Sequence, residues 1–157
     1  MMTTITRMTE DEYIAHFTES VKGYARDKVA AGQWAAAEAL ELAQKETDRL
    51  LPQGYATPDQ WLFTMRDETS QKVGALWISL REQGGRKIAW LTDIVVLPPF
   101  QRLGHAKRAL LAAEQEIAAA GLPGIGLHVF GHNAGAQALY ASLGYAVTNV
   151  NMFKPLG

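Results

Sequence analysis

Apolar side chains in the first third of the chain recur at intervals of three and four. Tyr13, Phe17, Val21 and Tyr24 follow Thr9 and Glu12, a pair with capping-box spacing, and predict a helix that ends at Gly32. Trp34, Ala37, Leu40, Ala43, Thr47 and Leu50 mark a second helix, stopped by Pro52 and Gly54. So short a connection makes the two a helical hairpin. Ahead of them, residues 3–7 alternate weakly and predict a short strand.

Beyond Gly54 the period changes from helical to alternating. Residues 60–66, 73–81 and 88–97 are rich in Trp, Phe, Val, Ile and Leu. The turns between them, at 67–72 and at Gly84-Gly85, predict an antiparallel meander, and Pro98 with Pro99 ends its third strand. Leu103, Ala106, Leu110, Ala113, Ile117 and Ala120 then predict a helix from Gly104 to Ala120. A strand over 125–130, a helix over 133–143 and a last strand over 145–154, one long strand or a very tight hairpin, complete the pattern. Strand, helix and strand in that order imply a parallel pair with a right-handed crossover. The expected fold class is α/β (α+β): a mixed sheet with an antiparallel meander, a parallel βαβ pair and an N-terminal helical hairpin. No internal repeat is visible, and one domain over residues 1–157 is expected.

Composition alters this picture little. With 48% hydrophobic and 20% charged residues the chain is ordinary for a globular protein. Its 15 basic and 16 acidic side chains leave no broad basic field, so nucleic acid is not an expected partner. The absence of Cys removes disulfides, thiolate metal sites and a Cys nucleophile, and it fits a reducing compartment; a cytoplasmic protein is expected. Residues 1–12 lack the apolar core of a signal peptide. The longest weakly polar stretch, 117–130, is broken by glycines, Pro123 and His128 and falls short of the ~20 residues of a membrane span, so no membrane partner is expected.

Charge becomes informative locally. An apolar strand, Ile94-Val95-Val96, runs through Pro98 and Pro99 into Arg102-Leu103-Gly104-His105-Ala106-Lys107-Arg108. Gly and Ala at a helix start let a ligand approach the backbone, and the free N–H groups of a first turn bind phosphate. Arg102, Lys107 and Arg108 add cations, while no Asp or Glu occurs from Ile94 through Ala113. Such a field seeks anions. Taken alone, Gln-x-x-Gly-x-Ala is a degenerate pattern, and neither the Rossmann fingerprint nor the Walker loop is present. A second stretch, His128 to Tyr145, ends a strand and opens a helix with Asn133 as N-cap and Gly144 as terminator. Asn133 and Tyr140 lie about two helical turns apart and share a face.

Together these stretches resemble the GNAT superfamily of acetyl-CoA-dependent N-acetyltransferases. Gln101 through Ala106 matches the Gln/Arg-x-x-Gly-x-Gly/Ala pyrophosphate loop, and Asn133 through Tyr145 matches the Asn-x-x-Ala-x-x-Leu-Tyr-x-x-Leu-Gly-Phe/Tyr segment. The resemblance implies acetyl-CoA as cosubstrate and an amine acceptor as partner. It implies that backbone groups of Ile94, Val95 and Val96 hold the pantetheine arm and that the amides of Arg102, Leu103, Gly104, His105, Ala106 and Lys107 hold the pyrophosphate. Asn133 would contact the cofactor and Tyr140 would protonate the leaving thiolate. The chain departs from the family twice. His128 stands where several members that acetylate protein N-termini have a glutamate, and the usual loop between two final strands is missing.

Each candidate also has a plainer role. Tyr140 fits a general acid, since a phenol of pKa ~10 stays protonated at pH 7, but it fits a packed helix tyrosine too. Asn133 caps its helix under either reading. His128 is expected on a strand, on the side opposite Leu127 and Val129, at the ligand-binding end of an open sheet. It is one candidate for the base. Asp93 is the other, with a hydrogen-bonded strand residue as its plainer role. His105 fills the variable loop position, where its backbone N–H counts for more than its ring, and His132 is expected in solvent. The histidines lack metal-ligand spacing with nearby carboxylates, so no metal is expected. With no Cys to carry acetyl, direct attack by a primary amine in a ternary complex is the simplest route. The acceptor could be a protein N-terminus, a lysine or a small molecule. The alternative is a non-catalytic acyl-CoA-binding module with the same fold.

Overall fold

In the computed structural model, which describes residues 1–157, Thr9 opens α1 (Glu10–Ala30). Its hydroxyl accepts from the Glu12 N–H at 3.1 Å, and the Glu12 carboxylate accepts from the Thr9 N–H at 3.0 Å. This is the reciprocal capping box the sequence predicts. α2 (Ala36–Leu50) returns alongside as the expected hairpin. Val21 and Ala25 of α1 pack with Ala39 and Ala43 of α2, small residues that let the two helices approach closely.

Five strands lie side by side in chain order: β1 (Thr4–Arg7), β2 (Gln60–Arg66), β3 (Lys72–Gln83), β4 (Arg86–Val96) and β5 (Ile125–Gly126). The first four pair antiparallel and β5 runs parallel to β4, with α3 (His105–Ala119) as the crossover. Gly84 and Gly85, at φ +60° and +78°, supply the left-handed pair that a tight hairpin between β3 and β4 requires. Strand alternation assigns the two faces of the sheet. Leu62, Ala75 and Trp77 join Met8, Phe17 and Leu51 beneath α1, and the Phe17 and Trp77 rings meet edge-on at 5.3 Å. Phe63, Met65, Leu76 and Ile78 alternate to the other face and are fully buried, as are Leu110 and Ile117 of α3, which lies against β1 and β4.

The chain divides into two compact units, Met1–Gly126 and Leu127–Gly157. The second carries α4 (Ala134–Ser142), capped as predicted: the Asn133 side chain accepts from the Ala136 N–H at 3.1 Å. Gly144, at φ +95°, follows its end, and the Tyr145 N–H returns to the Tyr140 carbonyl at 3.0 Å.

Two expectations are corrected. The strand predicted over 125–130 is confined to Ile125–Gly126, which pairs with Ala89 and Trp90 only. Pairing stops just before a bulge on β4, where Trp77 faces Asp93 but Ile78 faces Leu91, leaving Thr92 as the extra residue. The last strand predicted over 145–154 forms neither one strand nor a hairpin. Val147, Val150 and Phe153 are residues that favour strands, yet they and Met152 are exposed and residues 145–157 have no ladder partner. Strand-favouring residues make a strand only where an edge accepts their hydrogen bonds.

Candidate active site

After β4 the chain makes a short helical turn at Pro98–Phe100, and the Gln101 side chain donates back to the Val96 carbonyl at 2.9 Å. Arg102 and Gly104 then adopt left-handed conformations, at φ +65° and +83°. For Arg102 this is strained backbone, of the kind that clusters where a loop is shaped for a ligand. Gly104 is the N-cap of α3 and no side chain caps that helix. Its first intrahelical donor is the Arg108 N–H, at 3.1 Å from the Gly104 carbonyl. The amides of His105, Ala106 and Lys107 therefore have no partner along the helix. α1 and α4 spend such amides on Thr9 and Asn133; at α3 no side chain takes them, and free first-turn amides can receive an anion. The first turn contains no acid, and exposed Arg102 and Lys107 make no ion pair.

Upstream of this loop lies the expected cofactor strand. Ile94, Val95 and Val96 end β4, and within Met1–Gly126 no strand pairs with its outer edge from 91 to 96. On the inner edge β3 approaches so closely that a Cβ on Gly74 would sit 2.2 Å from the Val95 carbonyl oxygen. Sequence reasoning passed over Gly74, although a lone Gly within a strand pattern signals a close backbone approach. The end of β4 and the start of α3 thus bring together every expected residue from Ile94 through Lys107.

Asp93 stands opposite Trp77, on the face of the sheet that α1 covers. Beside it the bulged Thr92 meets the Ser79 hydroxyl at 2.9 Å, and Ser79 and the Trp77 indole both donate to the Gln60 side-chain oxygen, at 2.8 and 2.7 Å. Burial pushes the Asp93 carboxyl above the usual carboxylate range, against the opposing effect of a hydrogen bond from the Ile94 N–H. No basic side chain pairs with it. A carboxylate that holds its proton more tightly is better matched to base work near neutrality.

His105 departs from the expectation that its ring matters little. The ring is buried, its Nδ1 lies 2.8 Å from the Thr3 hydroxyl, and the Phe100 ring stands edge-on to it at 6.4 Å. Sequence reasoning also missed Thr3, whose partners lie more than a hundred positions away. An apolar groove of about 480 Å³ between α1 and α2 is lined by Ala25, Val29, Ala36 and Leu40 among others. It contains none of the expected site residues.

Asn133, Tyr140 and His128 belong to the second unit. His128 lies beyond the end of β5, not on a strand, and is exposed, its ring edge-on to Phe130 at 5.0 Å. Phe130 in turn stacks on exposed His132 at 5.5 Å. Tyr140 is half-buried in α4, with its ring 5.7 Å from that of Tyr145.

Comparison with known proteins identifies relatives of this chain. A family model described as the acetyltransferase (GNAT) family matches residues 28–145. The chain is 34% identical to the uncharacterized N-acetyltransferase YycN of Bacillus subtilis over 152 residues, covering 97% of each chain. It is 29% identical to the uncharacterized N-acetyltransferase YdgE of the same organism, covering 99% of each. The crystal structure of YycN superposes with a TM-score of 0.82 over 98% of both chains. An aminoglycoside 6'-N-acetyltransferase from Acinetobacter baumannii, at 18% identity and a TM-score of 0.57, shares the fold.

Proposed function

This chain belongs to the GNAT acetyltransferase family, and we propose that it moves the acetyl group of acetyl-CoA to a primary amine by direct transfer in a ternary complex. The observation that carries the reading is the uncapped start of α3. A left-handed glycine and unspent amides meet exposed Arg102 and Lys107 immediately after a strand whose outer edge is open. Those donors suit a pyrophosphate, and the backbone of Ile94, Val95 and Val96 suits the amide-bearing pantetheine arm. Acetyl-CoA, when bound, supplies the activated acyl thioester.

The remaining roles fall to side chains. A backbone N–H of β4 near the bulge polarises the acetyl carbonyl. Tyr140 donates its proton to the departing thiolate, and Asn133 adds a cofactor contact. The base that takes the proton of the incoming ammonium is His128 or Asp93. Holding both reactants together supplies most of the rate. The relatives match along almost the whole chain, which supports one acetyltransferase domain over residues 1–157. No helix is long and apolar enough to cross a membrane.

Thermal unfolding with and without acetyl-CoA tests the loop. Ligand at ~100 times its dissociation constant adds about 2.7 kcal/mol of stability. Gly104→Val forces a β-branched residue into φ +83°, so it should lower the unliganded Tm and also abolish the ligand-induced rise. A rise that persists undiminished in Gly104→Val would exclude this loop as the phosphate site.

A further inference from the structure

Arg108 has the charge of a phosphate ligand, but its donors are turned elsewhere. Its Nε donates to the Thr3 hydroxyl at 2.9 Å, and its Nη2 donates to the Leu103 carbonyl at 2.7 Å. Thr3 also meets His105 Nδ1 at 2.8 Å. The guanidinium lies across the loop so closely that a Cβ on Gly104 would stand 2.6 Å from Nη1. One ring of contacts thus joins the residue before β1, the loop at 103–105 and the second turn of α3. The N-terminal end is itself fastened, since the Met2 N–H donates to the Glu68 carboxylate at 3.0 Å and β1 is laddered to β2.

We propose that Thr3, His105 and Arg108 form a brace that holds the phosphate loop in its anion-receiving shape, with Arg108 a positioning residue and Arg102 and Lys107 the cations that meet the ligand. A carbonyl oxygen turned toward the bound anion would repel it. By drawing in the Leu103 oxygen with a charge-assisted hydrogen bond, Arg108 fixes that peptide and leaves the following amides to the ligand. Thr3 holds the guanidinium in place, and the buried His105 ring holds Thr3. Gly104 has a second duty here, because any side chain would displace Arg108. The brace rests on the acetyl-CoA reading for its ligand but not for its geometry.

Three measurements test the brace, and the first does so without that reading. In the free protein, amide hydrogen exchange across 101–109 should quicken about fivefold in Thr3→Val and in Arg108→Ala, the scale of one lost hydrogen bond, and stay at the wild-type rate in Thr3→Ser. With acetyl-CoA, Thr3→Val should raise KM about fivefold with kcat retained, Thr3→Ser should restore it, and Thr3→Val combined with Arg108→Ala should cost less than the sum of the two. Lys107→Ala should flatten the salt dependence of binding, whereas Arg108→Ala should leave its slope unchanged. Wild-type exchange in Thr3→Val, or a salt slope that falls in Arg108→Ala as it does in Lys107→Ala, overturns the brace. A wild-type protein that ignores acetyl-CoA overturns the functional reading, while the exchange rates still decide the brace.

Discussion

Asp93 is the residue at which burial and chemistry pull in different directions. Its carboxyl is pushed up by burial, so the folded state holds this proton more tightly than the unfolded chain does. From the unfolded value of 3.8 upward, native protein therefore binds more protons at this site, and stability falls as pH rises through the folded pKa, levelling off above it. Asp93→Asn removes the ionised form and should raise Tm relative to wild type, by a margin that grows from pH 4 and then reaches a plateau. A variant equally destabilised at every pH would mean the carboxylate is held by contacts an amide cannot replace. The same substitution bears on the base. If His128 is the base, His128→Ala lowers kcat/KM most near pH 7 and recovers at higher pH, where more of the amine is already neutral, while Asp93→Asn keeps the wild-type profile. A profile flattened by Asp93→Asn alone assigns the base to Asp93. Tyr140→Phe should lower kcat by ~10²–10⁴ with little change in acetyl-CoA affinity, because the ring stays and only the donor goes. Full activity in that variant would leave Tyr140 a packing residue.

Among the elements, those built from neighbours in sequence were legible and those needing distant partners were not. The capping box of Thr9 and Glu12, the Asn133 cap and the Gly84-Gly85 turn are each settled by a few adjacent residues, and each appears as predicted. The start of α3 at Gly104 was legible for the same reason. The truncation of β5, the bulge at Thr92 and the engagement of His105 by Thr3 depend on contacts across the sheet, which no local period encodes. The clearest miss is 145–154. Its residues favour a strand, yet this segment has no ladder partner and Phe153 is 90% exposed, whereas Leu110 on α3 is fully buried. Leu110→Ala should cost ~2–5 kcal/mol by leaving a cavity. Phe153→Ala should change stability by no more than about 0.5 kcal/mol. Denaturant unfolding of both variants checks the contrast, and a large loss in Phe153→Ala would show that the segment is covered in solution.

For the whole molecule, the fold and the function rest on different kinds of support. The mixed sheet, with its meander, crossover and helical hairpin, places an open strand edge next to an uncapped helix start, an arrangement that many chemistries could use. Family membership narrows these to acetyl transfer, and the roles proposed for Asn133, Tyr140 and His128 or Asp93 remain for kinetics to assign. Free CoA released from acetyl-CoA by the purified protein, measured against a panel of primary amines, distinguishes an enzyme from a module that only binds the cofactor. The predicted result is release that depends on the amine, matches acetylated product one for one and collapses in Tyr140→Phe. Tight binding of acetyl-CoA with no release against any amine would contradict it.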